Sequence, residues 1–166
     1  MRARPWQVMV ASVLLVGSTA CAFGGSDREA DPPAVADEQS LPDPCELLTT
    51  DEIGAVRGGP TEPGVTGTGQ ANGHRACIFG QRDDGRVTTI TVFAGDQTRF
   101  DEERDVVAQN FPVEDIPELG DAAFIGASVL HVRKGELIMT IFAGSTSEEE
   151  SKADAVALAP KALVRM

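Results

Sequence analysis

Val87-Thr88-Thr89-Ile90-Thr91-Val92-Phe93-Ala94 is the stretch that decides the fold. It carries no charge and is rich in β-branched residues, which suit the pleated surface of a strand. Side chains alternate across a strand. Ile90, Val92 and Ala94 therefore share one face, and Thr89, Thr91 and Phe93 the other. Working backwards, Asp84-Gly85 is a favoured two-residue hairpin turn, and Arg75 to Phe79 reads as the strand that precedes it. Working forwards, Asp121 to Ile125, Ser128 to Arg133 and Glu136 to Ala143 read as a meander, with turns at Gly126 and at Lys134-Gly135.

Three helices are predicted around these strands. Thr49 and Glu52 form a capping box, and Leu48 and Ile53 sit where a hydrophobic staple would pin the entering chain. Gly58-Gly59-Pro60 ends that helix, which spans Thr50 to Arg57. Gln97 to Asn110 is a mostly polar helix with Phe100, Val107 and Phe111 turned inward. Ser147 and Glu150 form a second capping box before a helix from Glu148 to Arg165. Its expected stripe is Val156, Ala159 and Leu163, with a kink or break at Pro160. The fold expected is α+β: one domain with an antiparallel sheet of about five strands. Helices cover one face, in the order α-β-β-α-β-β-β-α.

The N-terminus reads differently. Arg2 and Arg4 precede an apolar run from Val8 to Val16, the form of a signal-peptide core that is too short to span a bilayer. Ser18-Thr19-Ala20-Cys21 follows, resembling the lipobox of bacterial lipoproteins, in which the cysteine thiol takes a diacylglycerol and becomes the first residue. Leu is commoner where Ser18 stands. The alternative is ordinary cleavage after Ala20, leaving a free thiol. The cysteine count favours lipidation, because an oxidising compartment favours paired thiols. With Cys21 acylated, Cys45 and Cys77 remain as one pair. The expected division is 1–20 signal peptide, 21–41 flexible linker and 42–166 folded domain. The linker contains Gly24-Gly25-Ser26 and Pro32-Pro33 and shows no apolar period.

The marks together resemble a family of uncharacterised actinobacterial lipoproteins. They are the lipobox at Cys21, Asp43-Pro44-Cys45 with Leu47-Leu48-Thr49, and Glu52. Cys77 heading a strand, Leu119-Gly120-Asp121-Ala122-Ala123 before the meander, and Leu158-Ala159 in the last helix complete the series, and Phe79 follows the second cysteine. The resemblance covers about Leu41 to the end. It implies an exported, lipid-anchored domain with a Cys45–Cys77 bridge on the outer face of the cell membrane. It implies no activity.

Composition excludes some partners. The chain has 26 acidic and 14 basic residues, a net charge of −12, and losing Arg2 and Arg4 with the leader makes it more negative still. Such a surface repels nucleic acid and anionic lipid. There is no Tyr, and the single Trp, Trp6, lies in the leader, so the domain lacks the rings that commonly stack on sugars.

Little chemistry is legible. His74 and His131 are the two neutral-pH bases, His131 pointing out of the sheet and His74 bordering a Gly-rich surface loop from Gly59 to Gly73. No ligand-spaced cluster surrounds either, so neither a metal nor a cofactor is expected, and both are expected to be dispensable. Ser128 lies near His131 without a nucleophile elbow, and Asp83-Asp84 reads as a turn. Gly64, Gly67 and Gly69 lack the strand, helix and Lys of a phosphate loop. The expected function is a non-enzymatic binding module of the cell envelope, for a small apolar ligand or an envelope protein. An accessory protein docking on an envelope complex is the first alternative, and an enzyme the second. Phe93, Phe124 and Met139 are the side chains through which it would bind, unless they are core.

Overall fold

Among the residues described by the computed structural model (41–67, 73–81 and 85–166), seven strands form one antiparallel sheet. In chain order the elements are α1 (Thr50–Arg57), β1 (Val65–Thr66), β2 (Arg75–Gly80), β3 (Val87–Ala94) and α2 (Gln97–Ala108). Then come β4 (Val113–Asp115), β5 (Ala122–Gly126), β6 (Val129–Lys134), β7 (Leu137–Ala143) and α3 (Glu148–Leu163). The sheet order is β1-β2-β3-β7-β6-β5-β4. The α+β class holds, with two more strands than expected. Both extra strands, β1 and β4, are edge strands of two and three residues, too short to show a period.

β3 sits near the centre. It pairs with β2 through Cys77↔Ile90 and with β7 through Ile90↔Ile141. Its two faces divide as the alternation requires. Ile90 and Val92 join Cys77, Phe79, Leu130, Val132, Met139 and Ile141 in the main core, beneath Ile53 of α1 and Ala155, Leu158, Ala159 and Ala162 of α3. Phe93 belongs to a second core on the opposite face, with Phe124, Ile138 and Phe100 of α2. Helices therefore cover both faces, which corrects the one-face expectation. A helix's apolar stripe tells which side of it is buried, not which face of a sheet it meets.

The first capping box forms as expected, whereas the second is half made: the Glu150 amide donates to Ser147 Oγ, but the Glu150 carboxylate turns to Thr146 and Arg86. The Glu52 amide donates to Thr49 Oγ1 at 3.2 Å, and the Thr49 amide donates to Glu52 Oε2 at 2.9 Å. Gly58 takes the left-handed C-cap at φ 73°, where a Cβ would be strained. Glu52 also receives both Arg165 terminal nitrogens at 2.9 Å, tying α1 to the last residues of the chain. That Arg165 fork, with the Thr49 bonds, lowers the Glu52 carboxyl to about 2. Its support for the fold is complete above 4.5 and fades as pH falls towards 2.

Three details of the helices differ from expectation. α3 continues through Pro160, which is exposed. Its buried stripe is Ala155, Leu158, Ala159 and Ala162, with Val156 and Leu163 only partly buried. Phe111 lies beyond α2 and is half exposed.

The Gly-rich segment is also more ordered than a free loop. Val65 and Thr66 pair with Ile78 and Cys77, and Gly64 passes directly over the bridge. A Cβ on Gly64 would stand 2.5 Å from Cys77 Sγ and 2.7 Å from the Phe79 ring. Cys45 and Cys77 are at bonding distance, with Cα atoms 5.1 Å apart. Asp43 holds the approach: its carboxylate accepts from the Cys45 amide at 2.9 Å and from Arg75 at 3.3 Å.

Candidate functional site

The residues singled out in the sequence do not assemble into one site. Phe93, Phe124 and Met139 are 4%, 0% and 0% exposed, so all three are core and present nothing to a ligand. His74 stacks on Phe93 at 4.1 Å between ring centres, and burial lowers its basicity despite the opposing Glu103 charge. His131 stacks on Phe124 at 4.4 Å, and Phe100 of α2 meets Phe124 edge-on at 5.2 Å. His131 therefore points to the α2 face but is 6% exposed, not out in solvent. Ser128 stands beside Ala127 in the hairpin turn between β5 and β6, both at positive φ. It has moved out of the strand expected to start there. Among the described residues no group of three His, Cys, Asp or Glu side chains could hold a metal ion. Cys21, the leader, the linker and Asp83-Asp84 lie outside the described residues.

His131 is a packing residue with a titratable cost. Its Nδ1 has no hydrogen-bond partner among the described residues, and burial lowers its pKa from 6.5 to about 4. A depressed histidine pKa means the fold favours the neutral ring. The stability this represents is whole above 6.5 and is lost as pH falls towards 4, up to ~3 kcal/mol. His131→Phe should keep the stack on Phe124 and flatten this loss, while His131→Ala should open a cavity and destabilise by about 2–4 kcal/mol. Melting temperatures of the wild type and His131→Phe from pH 7 to pH 4 check this. Parallel curves would show that the ring is not the titrating group.

Two apolar surfaces among the described residues are binding candidates, beside a more polar hollow of about 430 Å³ between α2 and the segment from Asp115 to Ala123. The first is a cleft beside α3. β5 and β4 extend past the helix, which lies over β6 and β7. The overhang leaves a cleft of about 500 Å³ lined by Ile116, Ile125, Ala153, Val156 and Ala157, with Glu114, Glu149 and Lys152 at its rim. Ala153 and Ala157 make room because their side chains end at Cβ, while Ile125 at 1% exposure forms the floor. The volume lies within the ordinary range for small-ligand sites. Lys152 is paired with Glu148 at 3.4 Å, so the rim is acidic on balance. The signal in the sequence was the Ala153/Val156/Ala157 side of α3, but its exposure depends on where the sheet ends.

The second surface is the half of the α2 face that α2 leaves bare. Val65, Ile78, Thr89, Phe142 and Val129 form one cross-strand row there, set by the pairings of β1, β2, β3, β7 and β6. Val65 and Ile78 are 67% and 41% exposed.

Comparison with known proteins adds nothing to this geometry: no family model, no curated protein and no solved structure matches the chain.

Proposed function

We propose that this protein is a non-enzymatic binding module of the cell envelope, exported and held at the outer face of the membrane by acylation of Cys21. The observation that carries the binding role is the apolar cleft between α3 and the β4–β5 overhang. The cleft is mostly apolar with a few charged groups at its rim, the composition expected of a small-ligand site. The anchor rests on the leader and on Ser18-Thr19-Ala20-Cys21. About 20 residues separate Cys21 from the folded domain, so the anchor would keep the domain close to the membrane. The net charge of −12 keeps it from lying flat on anionic lipid.

The test has two arms. Mass spectrometry of the N-terminal peptide should find Cys21 first and acylated; a free thiol there, or Trp6 retained, removes the anchor. Nile red, a neutral apolar probe, should bind the chain saturably. Val156→Trp should fill the cleft and weaken that binding at least tenfold. Unchanged uptake would remove the cleft from the reading. The exposed Val65–Ile78 row favours a second reading, docking on an envelope complex, which loss of a cross-linked partner on Ile78→Lys would support.

A further inference from the structure

Among the described residues β4 is the last strand on its side of the sheet and pairs inward, with β5. The Ile116 amide donates to the Ala123 carbonyl at 2.9 Å, which makes 116 and 123 a directly bonded pair. Bonded and non-bonded pairs alternate along an antiparallel ladder. In the register Val113↔Gly126, Glu114↔Ile125 and Asp115↔Phe124, the next bonded pair is Glu114 with Ile125. The amides and carbonyls of Val113 and Asp115 then point outward. Such an edge is a template for one more strand.

The cleft opens at this same edge. Glu114 lines it from β4 and Ile116 from just past the strand, with Val156 on α3. The surroundings are acidic: Glu114, Asp115, Glu118 and Glu149 are all exposed. The nearby cations are engaged, Arg104 with Asp115 at 2.8 Å and Lys152 with Glu148.

We infer that the outer edge of β4 takes an extended basic peptide segment of another envelope protein, by strand addition. This rests on the binding role proposed above and names its partner. Main-chain bonds would run to Val113 and Asp115. Alternate side chains of the added strand point to opposite faces. Those over the cleft are aliphatic and enter it beside Ile116, Ile125 and Val156. Those on the other face are Lys or Arg and meet Asp115. The acids also decide what is refused. A neutral strand gains nothing from them, and an acidic one, including an edge of a second copy of this chain, is repelled.

The experiment uses the full chain with Cys21→Ser and four probes. They are the capped peptide Lys-Val-Lys-Leu-Lys-Val-Lys, the same peptide N-methylated on its lysines, the same peptide N-methylated on its Val and Leu, and dodecyltrimethylammonium. Only the lysine amides face β4 in the register above. Calorimetry should show saturable binding of the plain peptide. N-methylation of the lysines should weaken it at least tenfold, and N-methylation of Val and Leu should not. Asp115→Lys, an exposed change that leaves the core untouched, should also weaken it at least tenfold, as should Val156→Trp. Equal binding of both methylated peptides would overturn strand addition. Binding of dodecyltrimethylammonium without the peptide would overturn it too, leaving the cleft as a site for cationic amphiphiles and the binding role intact. If neither probe binds and Val156→Trp does not change Nile red uptake, both the inference and the binding role fail.

Discussion

Arg57→Met should lower stability by about 3–5 kcal/mol, the usual consequence of removing one member of a buried charged network. Arg57 is 5% exposed at the end of α1. Its guanidinium donates to the Val87 carbonyl at 2.8 Å, to Thr88 Oγ1 at 2.7 Å and to the Gly144 carbonyl. It stands 3.7 Å from the Asp154 carboxylate of α3. One side chain thus joins α1, β3, the end of β7 and α3. Methionine keeps much of the apolar stem and removes every donor. The Val87 and Gly144 carbonyls and Thr88 then lose a partner, and Asp154 is left beside an apolar tip. Burial already raises the Asp154 pKa, and the Arg57 charge opposes that rise. The melting temperature should fall by about 10–15 °C. Arg57→Met with Asp154→Leu should recover part of the loss, because the stranded carboxylate is gone. Urea unfolding of the two variants and the wild type measures this. A loss under about 1 kcal/mol for Arg57→Met would show that the network is screened by solvent and adds little.

This network shows what kind of information a linear pattern lacks. α1 was legible to the residue because its caps are local: Thr49, Glu52 and Gly58 satisfy backbone groups within one turn. β3, β5, β6 and β7 were legible because each runs five residues or more and is largely apolar or β-branched between turn signals. The linear pattern marks Arg57 only as the end of a helix and does not single out Asp154. A clue was present, since Ser151, Asp154, Ala155, Leu158 and Ala162 recur at helical spacing and bury one side. An acid within that stripe needs a partner, and the partner lies 97 positions away.

The surfaces were less legible still. The cleft exists because the sheet is two strands wider than α3 covers, and β4, which makes it wider, is three residues long. No window on the sequence reports that. The aromatic residues left two roles open for a related reason. In a chain without Tyr, and with its single Trp in the leader, Phe93 and Phe124 stood out as contact residues. The placement of α2 over their face turned them, with His131, into a second core.

Removing the bridge with Cys45→Ala and Cys77→Ala should cost about 3–4 kcal/mol, since the cross-link spans a sequence separation of 32 and restricts the unfolded chain accordingly. The loss should not be uniform. Cys77 is 0% exposed on β2, between the main core and the strand bearing Val65 and Thr66. Cys45 carries the turn that starts at Asp43, where the Glu46 amide donates to the Asp43 carbonyl at 3.0 Å. Without the bridge, the segment from Leu41 to Leu48 is held by Leu47 and Leu48 in the core and by Arg75 through Asp43 and the Leu41 carbonyl. These contacts should keep the segment docked but let it open more often than the sheet does. Hydrogen exchange should then rise first at position 45 and Glu46 and along β1, while β3 and β7 exchange only by global unfolding. Gly64 supplies a second check. It passes over the sulfurs so closely that a Cβ would collide, and Gly64→Ala should destabilise the oxidised protein more than the variant lacking both cysteines, where the bulk beneath it is smaller. Equal costs in the two backgrounds would mean that the Phe79 ring, not the bridge, sets the limit at that position. A double variant as stable as the wild type would mean that the bridge contributes no net stability to the folded chain.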